Sequence, residues 1–219
     1  MLSPWWRSGV LVVRAEGEVM RRKVFDVLVS AGGAVIVVVL LVAGGLAVWG
    51  HSVASSNVRN QLAQQQIFFP SRAAFAQAKP GTEITPGMIP YLEQYAGQQL
   101  LTGQQAEAYA DHFIAVHLSE MPYGGVYAKV SAASRANPKN AALAAEVQTS
   151  LQGTTLRGLL LEAYGFSTFG VIALWAAVSA FVLAGVMALL VGFGFWHSRR
   201  VSEGTEILAP RIAVAGSPS

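Results

Sequence analysis

The chain contains no cysteine. That excludes disulfides, Cys-ligated zinc and a thiol nucleophile. Charge is scarce as well. Asp, Glu, Lys and Arg make up 12% of the 219 residues, about half the ~25% usual in soluble domains. The net charge of +3 is too small to mark a nucleic-acid surface, so no nucleic-acid partner is expected. No GxxxxGK[ST] or GxGxxG loop is present to cradle a phosphate, and no serine sits in a G-x-S-x-G turn. Alternation of apolar and polar residues is nowhere long enough for a sheet, and no internal repeat is visible.

What remains is apolar. Hydrophobic residues make up 53% of the chain, and they concentrate in two runs. Residues 27–50 form a stretch of 24 without a charge, and residues 165–196 a stretch of 32. A spanning helix needs roughly 20 apolar residues, so both runs predict transmembrane helices. Neither carries an ionisable side chain of the kind that marks a proton relay or ion path, which argues against a transporter or channel acting alone.

Lysine and arginine near the span ends set the expected orientation. Arg14, Arg21, Arg22 and Lys23 precede the first span, and Arg199, Arg200 and Arg211 follow the second. Only Arg59 and Arg157 lie comparably close on the other side. The prediction is a plasma-membrane protein with residues 1–26 as a basic cytoplasmic N-terminus and residues 51–164 extracytoplasmic. Residues 197–219 form a cytoplasmic tail, expected to be disordered. Trp49 and Trp196 stand at span ends, where indole rings favour the headgroup layer. With Arg21, Arg22, Lys23, Arg199 and Arg200 they are the expected interface anchors. The first run exceeds the 7–15 residues of a signal-peptide core and reads as an uncleaved anchor. Met20, followed by Arg21-Arg22-Lys23, also has the form of a translation start.

The outer segment is neutral and rich in Ala and Gln, and it predicts helices. Residues 52–66 continue the first span and stop at Phe68-Phe69-Pro70. Lys79-Pro80-Gly81-Thr82 signals a turn. Thr85-Pro86 opens a helix expected to reach about Leu101. Thr102 with Gln105 forms a capping box for the next helix, which ends near Pro122. A shorter helix is expected over 126–135. Asn137-Pro138 repeats the cap-plus-proline signal for a helix ending at Gln152, with Gly153 as its stop and Thr154 or Thr155 opening the last helix. The predicted fold class is all-α: two transmembrane helices with an extracytoplasmic helical domain inserted between them.

The stretch EAYADHFIAVHLSEM, residues 107–121, holds two of the four histidines beside three carboxylates. At about 100° per residue His112 and His117 fall some 140° apart. The i, i+4 spacing of zinc-binding helices is not met. His117 falls within the apolar arc around Phe113, where it reads as a hydrogen-bonded histidine at the edge of a packed face. His117 with Glu120 is the weak local pair that survives, and His112 or His51 would have to complete a metal site. Neither a metal nor a cofactor is expected.

Small residues supply a second pattern. Ala176, Ala180, Ala184, Ala188 and Gly192 recur every four positions in the second span, and Ala43 and Ala47 share that spacing in the first. Small residues let helix backbones approach closely in lipid. A period of four suits a right-handed crossing, either within the chain or with a partner protein or second copy.

The runs YLEQYAGQQLLTGQQAEAYADHFIAVHLSE and NPKNAALAAEVQTSLQGTTLRGLLLEAYG, with the flanking spans, resemble an uncharacterised family of two-pass membrane proteins of high-GC Gram-positive bacteria. The resemblance covers roughly residues 20–197 and implies no established activity. Some members are named aromatic ring-opening dioxygenases, which hold iron with two histidines and a carboxylate. The spacing of His112 and His117 does not supply that set. The function expected first is a non-enzymatic accessory or scaffolding subunit. Its spans and outer domain would bind a partner, such as a larger envelope or energy-transducing complex. The alternatives are an extracytoplasmic sensor or small-ligand binder, its pocket lined by tyrosines and His117, and a metal-dependent enzyme of the outer face.

Overall fold

The computed structural model describes residues 22–200. Arg21 and the tail beyond Arg200 lie outside the described residues, and the side chains of Arg22 and Lys23 are not described. The chain is all-helical, with no strand among the described residues. Two helices are long and apolar enough to cross a membrane: α1, Arg22–Gln65, and the last helix, Ala141–Ser198, with mean hydropathies of 2.7 and 2.4 over their most apolar stretches. Between them in sequence come α2 (Arg72–Ala76), α3 (Ile89–Leu92), α4 (Gly103–Tyr109), α5 (Ala115–Glu120) and α6 (Tyr127–Ala136). The final helix is α7.

Several boundaries follow the local signals. α1 stops where Gln66 turns left-handed at φ 53°, just before Phe68-Phe69-Pro70. Gly81, at φ +78°, makes the expected turn, and the Thr82 hydroxyl closes it by donating to the Lys79 carbonyl at 2.8 Å. The Thr102–Gln105 capping box is present in both halves.

Other boundaries correct the sequence reading. The helix expected from Thr85 to Leu101 ends at Tyr95, after short 3-10 turns. Gly97 is left-handed at φ +70° and directs the chain back alongside residues 67–70. There the Phe69 N–H donates to the Gln98 carbonyl and the Leu100 N–H to the Ile67 carbonyl, both at 2.9 Å. Backbone pairing thus replaces the last helical turns. Asn137 does not open a helix; it caps the end of α6. Asn140 opens α7 instead, its side chain accepting from the Leu143 N–H at 3.0 Å.

Gly153 is not a stop. α7 runs through it unbroken, because its backbone groups stay paired within the helix and the missing side chain makes room for a neighbour. A Cβ built there would lie 2.8 Å from Leu118 Cδ2. A helix interior normally disfavours glycine by about 1 kcal/mol; here the packing of Leu118 offsets that preference.

The described chain falls into two compact units. The first comprises residues up to Leu41 and from Phe181 onward. Its helices approach through small side chains. A Cβ on Gly33 would sit 2.6 Å from Val191 Cγ2, and one on Gly194 would collide with Ser30 Oγ. Moving back three residues in α1 means moving forward three in α7, so the two segments run antiparallel. Away from that seam large side chains face outward: Val35 is 64% exposed and Leu189 66%.

The second unit is Val42–Ala180. Its core is conventional. Met88, Leu92, Leu100 and Leu160 are fully buried, with Phe69, Phe75, Val58 and Leu62 close to it. α4 seats on α7 through Gly103, where a Cβ would collide with Ser167. Ser150, also fully buried, donates to the Gly125 carbonyl at 2.6 Å. That bond ties down the left-handed run Tyr123-Gly124-Gly125.

The buried line on each long helix has a period of 3.5, not four. In the second unit α7 buries Gly170 and Ala177 and half-buries Ala173 and Ala180. In the first unit it buries Ala184 and Ser198 and half-buries Met187, Val191 and Gly194. α1 alternates three- and four-residue steps in the same way, through Ser30, Gly33, Val37 and Leu40, and then through Gly44, Ala47, His51, Ala54 and Val58. This is the spacing of a left-handed seam. It corrects the period-four stripe and its right-handed crossing. Of those residues Ala184 is buried, Ala180 and Ala47 are half-buried, and Ala43, Ala176, Ala188 and Gly192 are exposed. A period of four drifts off any one face of a 3.6-residue helix, so only part of such a stripe can meet a single neighbour.

Candidate functional site

The helix carrying the two central histidines is not a regular α-helix. Between α4 and α5, residues Ala110–Ile114 form a π-helical turn. The wider turn takes one more residue per hydrogen bond, so positions computed at 100° per residue no longer hold beyond Tyr109. Such single-turn π segments interrupt α-helices frequently at functional sites.

Each histidine enters a separate aromatic stack. His112 lies on Tyr91, with ring centroids 3.5 Å apart and planes parallel to within 2°. His117 lies against Phe113 at 4.5 Å. Phe113 stacks on Tyr109 at 4.6 Å, Tyr109 meets Phe69 edge-on at 5.5 Å, and Phe69 packs on Tyr95 at 5.1 Å. Burial, and secondarily the charge of Glu83, raises the Tyr109 phenol above its ordinary pKa.

The hydrogen bonds follow the same division. His117 Nδ1 lies 2.7 Å from the Phe113 carbonyl. A carbonyl only accepts, so Nδ1 carries the proton and the imidazole is held to its own helix. Glu120 is exposed and forms no hydrogen bond with His117 among the described residues. The His117–Glu120 pair is therefore not assembled. Asp111 instead accepts from Arg157 Nη2 at 2.6 Å, joining the π turn to α7. His51, the other histidine considered as a third ligand, sits on α1 with Nδ1 2.8 Å from the Gly170 carbonyl. Among the described residues no three His, Asp or Glu side chains gather closely enough to hold a metal ion.

A cleft of the second unit lies elsewhere, between α1 and α7, with a volume of about 490 Å³. Trp49, Val53, Asn57 and Gln61 line it from α1, and Leu159, Glu162 and Phe166 from α7. Buried Val58 and Leu62 also contribute to its walls. The sequence reading took residues 52–66 only as a continuation of the first span. The signal available was Asn57, Gln61 and Gln65 at four-residue spacing, which places three amides on one helical face. The cleft itself depends on α7 passing beside that face.

Of the expected interface anchors, Trp49, Trp196, Arg199 and Arg200 have described side chains. Trp49 and Trp196 are 67% and 53% exposed. The Arg200 guanidinium lies over the Trp196 ring, 4.2 Å from its centroid, a cation–π contact. Arg199 is exposed.

Compared with known protein families, with curated proteins and with solved structures, the chain has no match.

Proposed function

We propose that the chain is a non-enzymatic integral membrane protein of a bacterial plasma membrane. In this reading α1 and α7 each cross the bilayer, both termini are cytoplasmic and residues 51–164 form an extracytoplasmic helical domain. The observation that carries the reading is the outward face of the two long helices. In their most apolar stretches only 17% and 11% of residues are buried, while large side chains such as Val38, Leu46, Phe169 and Trp175 stand at 60–70% exposure. Monomeric soluble proteins rarely expose contiguous apolar patches beyond a few hundred Å². Lipid covers such a face at no cost. The resemblance to two-pass membrane proteins of high-GC Gram-positive bacteria agrees with it.

Within that setting the chain acts as an accessory or scaffolding subunit. Its internal seam uses one face of each helix, and Gly185, Ala188 and Gly192 remain open to a neighbouring protein or a second copy. His112 and His117 are both committed to aromatic stacks, which favours packing over catalysis.

The lack of cysteine makes the topology directly testable. Single cysteines at Ser71, Ser131 and Ser202 should divide when intact cells meet a membrane-impermeant maleimide. Labelling at the first two and protection of the third supports the reading; the reverse pattern, or release of the protein by alkaline extraction, overturns it. Co-purification after mild solubilisation tests the scaffold role, which a lone monomer would contradict.

A further inference from the structure

We propose that the cleft beside Trp49 binds a zwitterionic membrane lipid with an amine-bearing head group. Its acyl chain lies against Val53 and Phe166, and its head is held by Asn57, Gln61 and Glu162. The proposal rests on the membrane reading above and adds a ligand to it.

Three observations carry it. The first is position. The cleft begins at Trp49, where the first apolar run ends, and follows α1 to Gln65. That is roughly 24 Å at 1.5 Å rise per residue, starting at the water–lipid boundary. The second is a gradient. Along α1 the lining passes from Trp49 and Val53 to Asn57, Gln61 and Gln65, and α7, which runs the other way, adds Phe166, then Glu162 and then Leu159. The α1 wall therefore turns from apolar to polar, as an amphiphile does, and Glu162 stands beside its polar part. The third is charge. Glu162 is the only charged residue lining the cleft. Amide N–H groups of Asn57 and Gln61 suit phosphate and ester oxygens, and the carboxylate suits an ammonium. A net-anionic head would meet that carboxylate unpaired.

The volume of about 490 Å³ falls within the ~300–1,000 Å³ of small-molecule sites. Gly50 helps keep the cleft open, since a Cβ built there meets nothing within 4 Å.

Fluorescence quenching in the full chain tests this. Trp5, Trp6, Trp175 and Trp196 are replaced by Phe, leaving Trp49 as the reporter. The protein is reconstituted in phosphatidylglycerol vesicles containing increasing brominated phosphatidylethanolamine, or brominated phosphatidylglycerol in its place. The expected result is half-quenching at a roughly tenfold lower mole fraction of the ethanolamine lipid, equivalent to ~1.4 kcal/mol of preference. Gly50→Leu, which adds a side chain to the cleft wall, should abolish the preference, and Glu162→Gln should weaken it while quenching persists. Equal quenching by both lipids, or a preference untouched by Gly50→Leu, overturns the proposal. So does a co-purified protein that shields Trp49 from both lipids. A chain keeping only Trp196 separates the two readings. If Trp196 is quenched by either lipid while Trp49 shows no preference, the lipid site alone fails. If Trp196 is quenched by neither, the membrane reading fails.

Discussion

The unit formed by residues up to Leu41 and from Phe181 holds its helices together with Ser30, Gly33, Ala184 and Gly194; the unit from Val42 to Ala180 does so with Leu92, Met88, Leu100 and a ladder of aromatic rings. The same chain thus uses two kinds of packing. Water rewards burial of large apolar side chains, at about 25 cal/mol per Å². Lipid does not, because acyl chains are as apolar as leucine. Helices there gain chiefly from close van der Waals contact, which small residues permit. Large apolar side chains face outward along the apolar stretches of α1 and α7 in both units, and inward in the core around Met88, Leu92 and Leu100 of the second. The polar interactions divide in the same way: the buried Ser150–Gly125 bond and the Asp111–Arg157 pair both belong to the second unit.

This contrast can be broken by substitution, and the largest effect should come from the aqueous type of core. Leu92→Ala removes a fully buried side chain and should cost about 2–5 kcal/mol, measured by denaturant titration of the detergent-solubilised chain. In the first unit the sensitive position is a glycine. Gly33→Leu overpacks the contact with Val191 and should cost about 1–3 kcal/mol. Gly32→Leu, one residue away and facing open space, should be nearly neutral. Equal effects at the two positions would remove the close-contact account of this unit.

Ser150→Ala leaves the Gly125 carbonyl without its buried donor and should cost about 1–3 kcal/mol, with faster proteolysis near Tyr123. The raised Tyr109 phenol predicts a pH dependence. Its neutral form is favoured in the folded state, so the associated stability is intact below the ordinary tyrosine pKa of 10.0. It is lost as pH rises through the higher folded-state value. Thermal melts from neutral to strongly alkaline pH should show this decline, and Tyr109→Phe should shallow it. Smallest of all, Asp111→Ala should cost about 0.2–1 kcal/mol, as expected of a partly exposed pair. High salt should reduce that cost.

Much of the helical organisation was legible because its causes are local. A capping box needs only Thr102 and Gln105, and a left-handed turn needs only Gly81. Where reading failed, a distant residue had intervened. Gly153 looked like a terminator until Leu118 occupied its missing side chain. The helix from Thr85 stopped early because residues 97–100 found backbone partners in 67–70. The π turn at 110–114 carries no local signal, and it alone invalidates a helical wheel for the histidine stretch. The period-four stripe was real in sequence but only partly used, since an antiparallel neighbour follows a 3.5-residue line.

The sequence by itself determined the all-helical class, the two long apolar helices and the absence of thiol chemistry. Each follows from composition or from periodicities shorter than one helix. Only the tertiary structure decided which small residues are buried, where His112 and His117 go, and that Trp49, Asn57, Gln61 and Glu162 share one cleft. Those outcomes depend on which helix passes beside which face, and residues more than a hundred positions apart meet there only after the chain has packed.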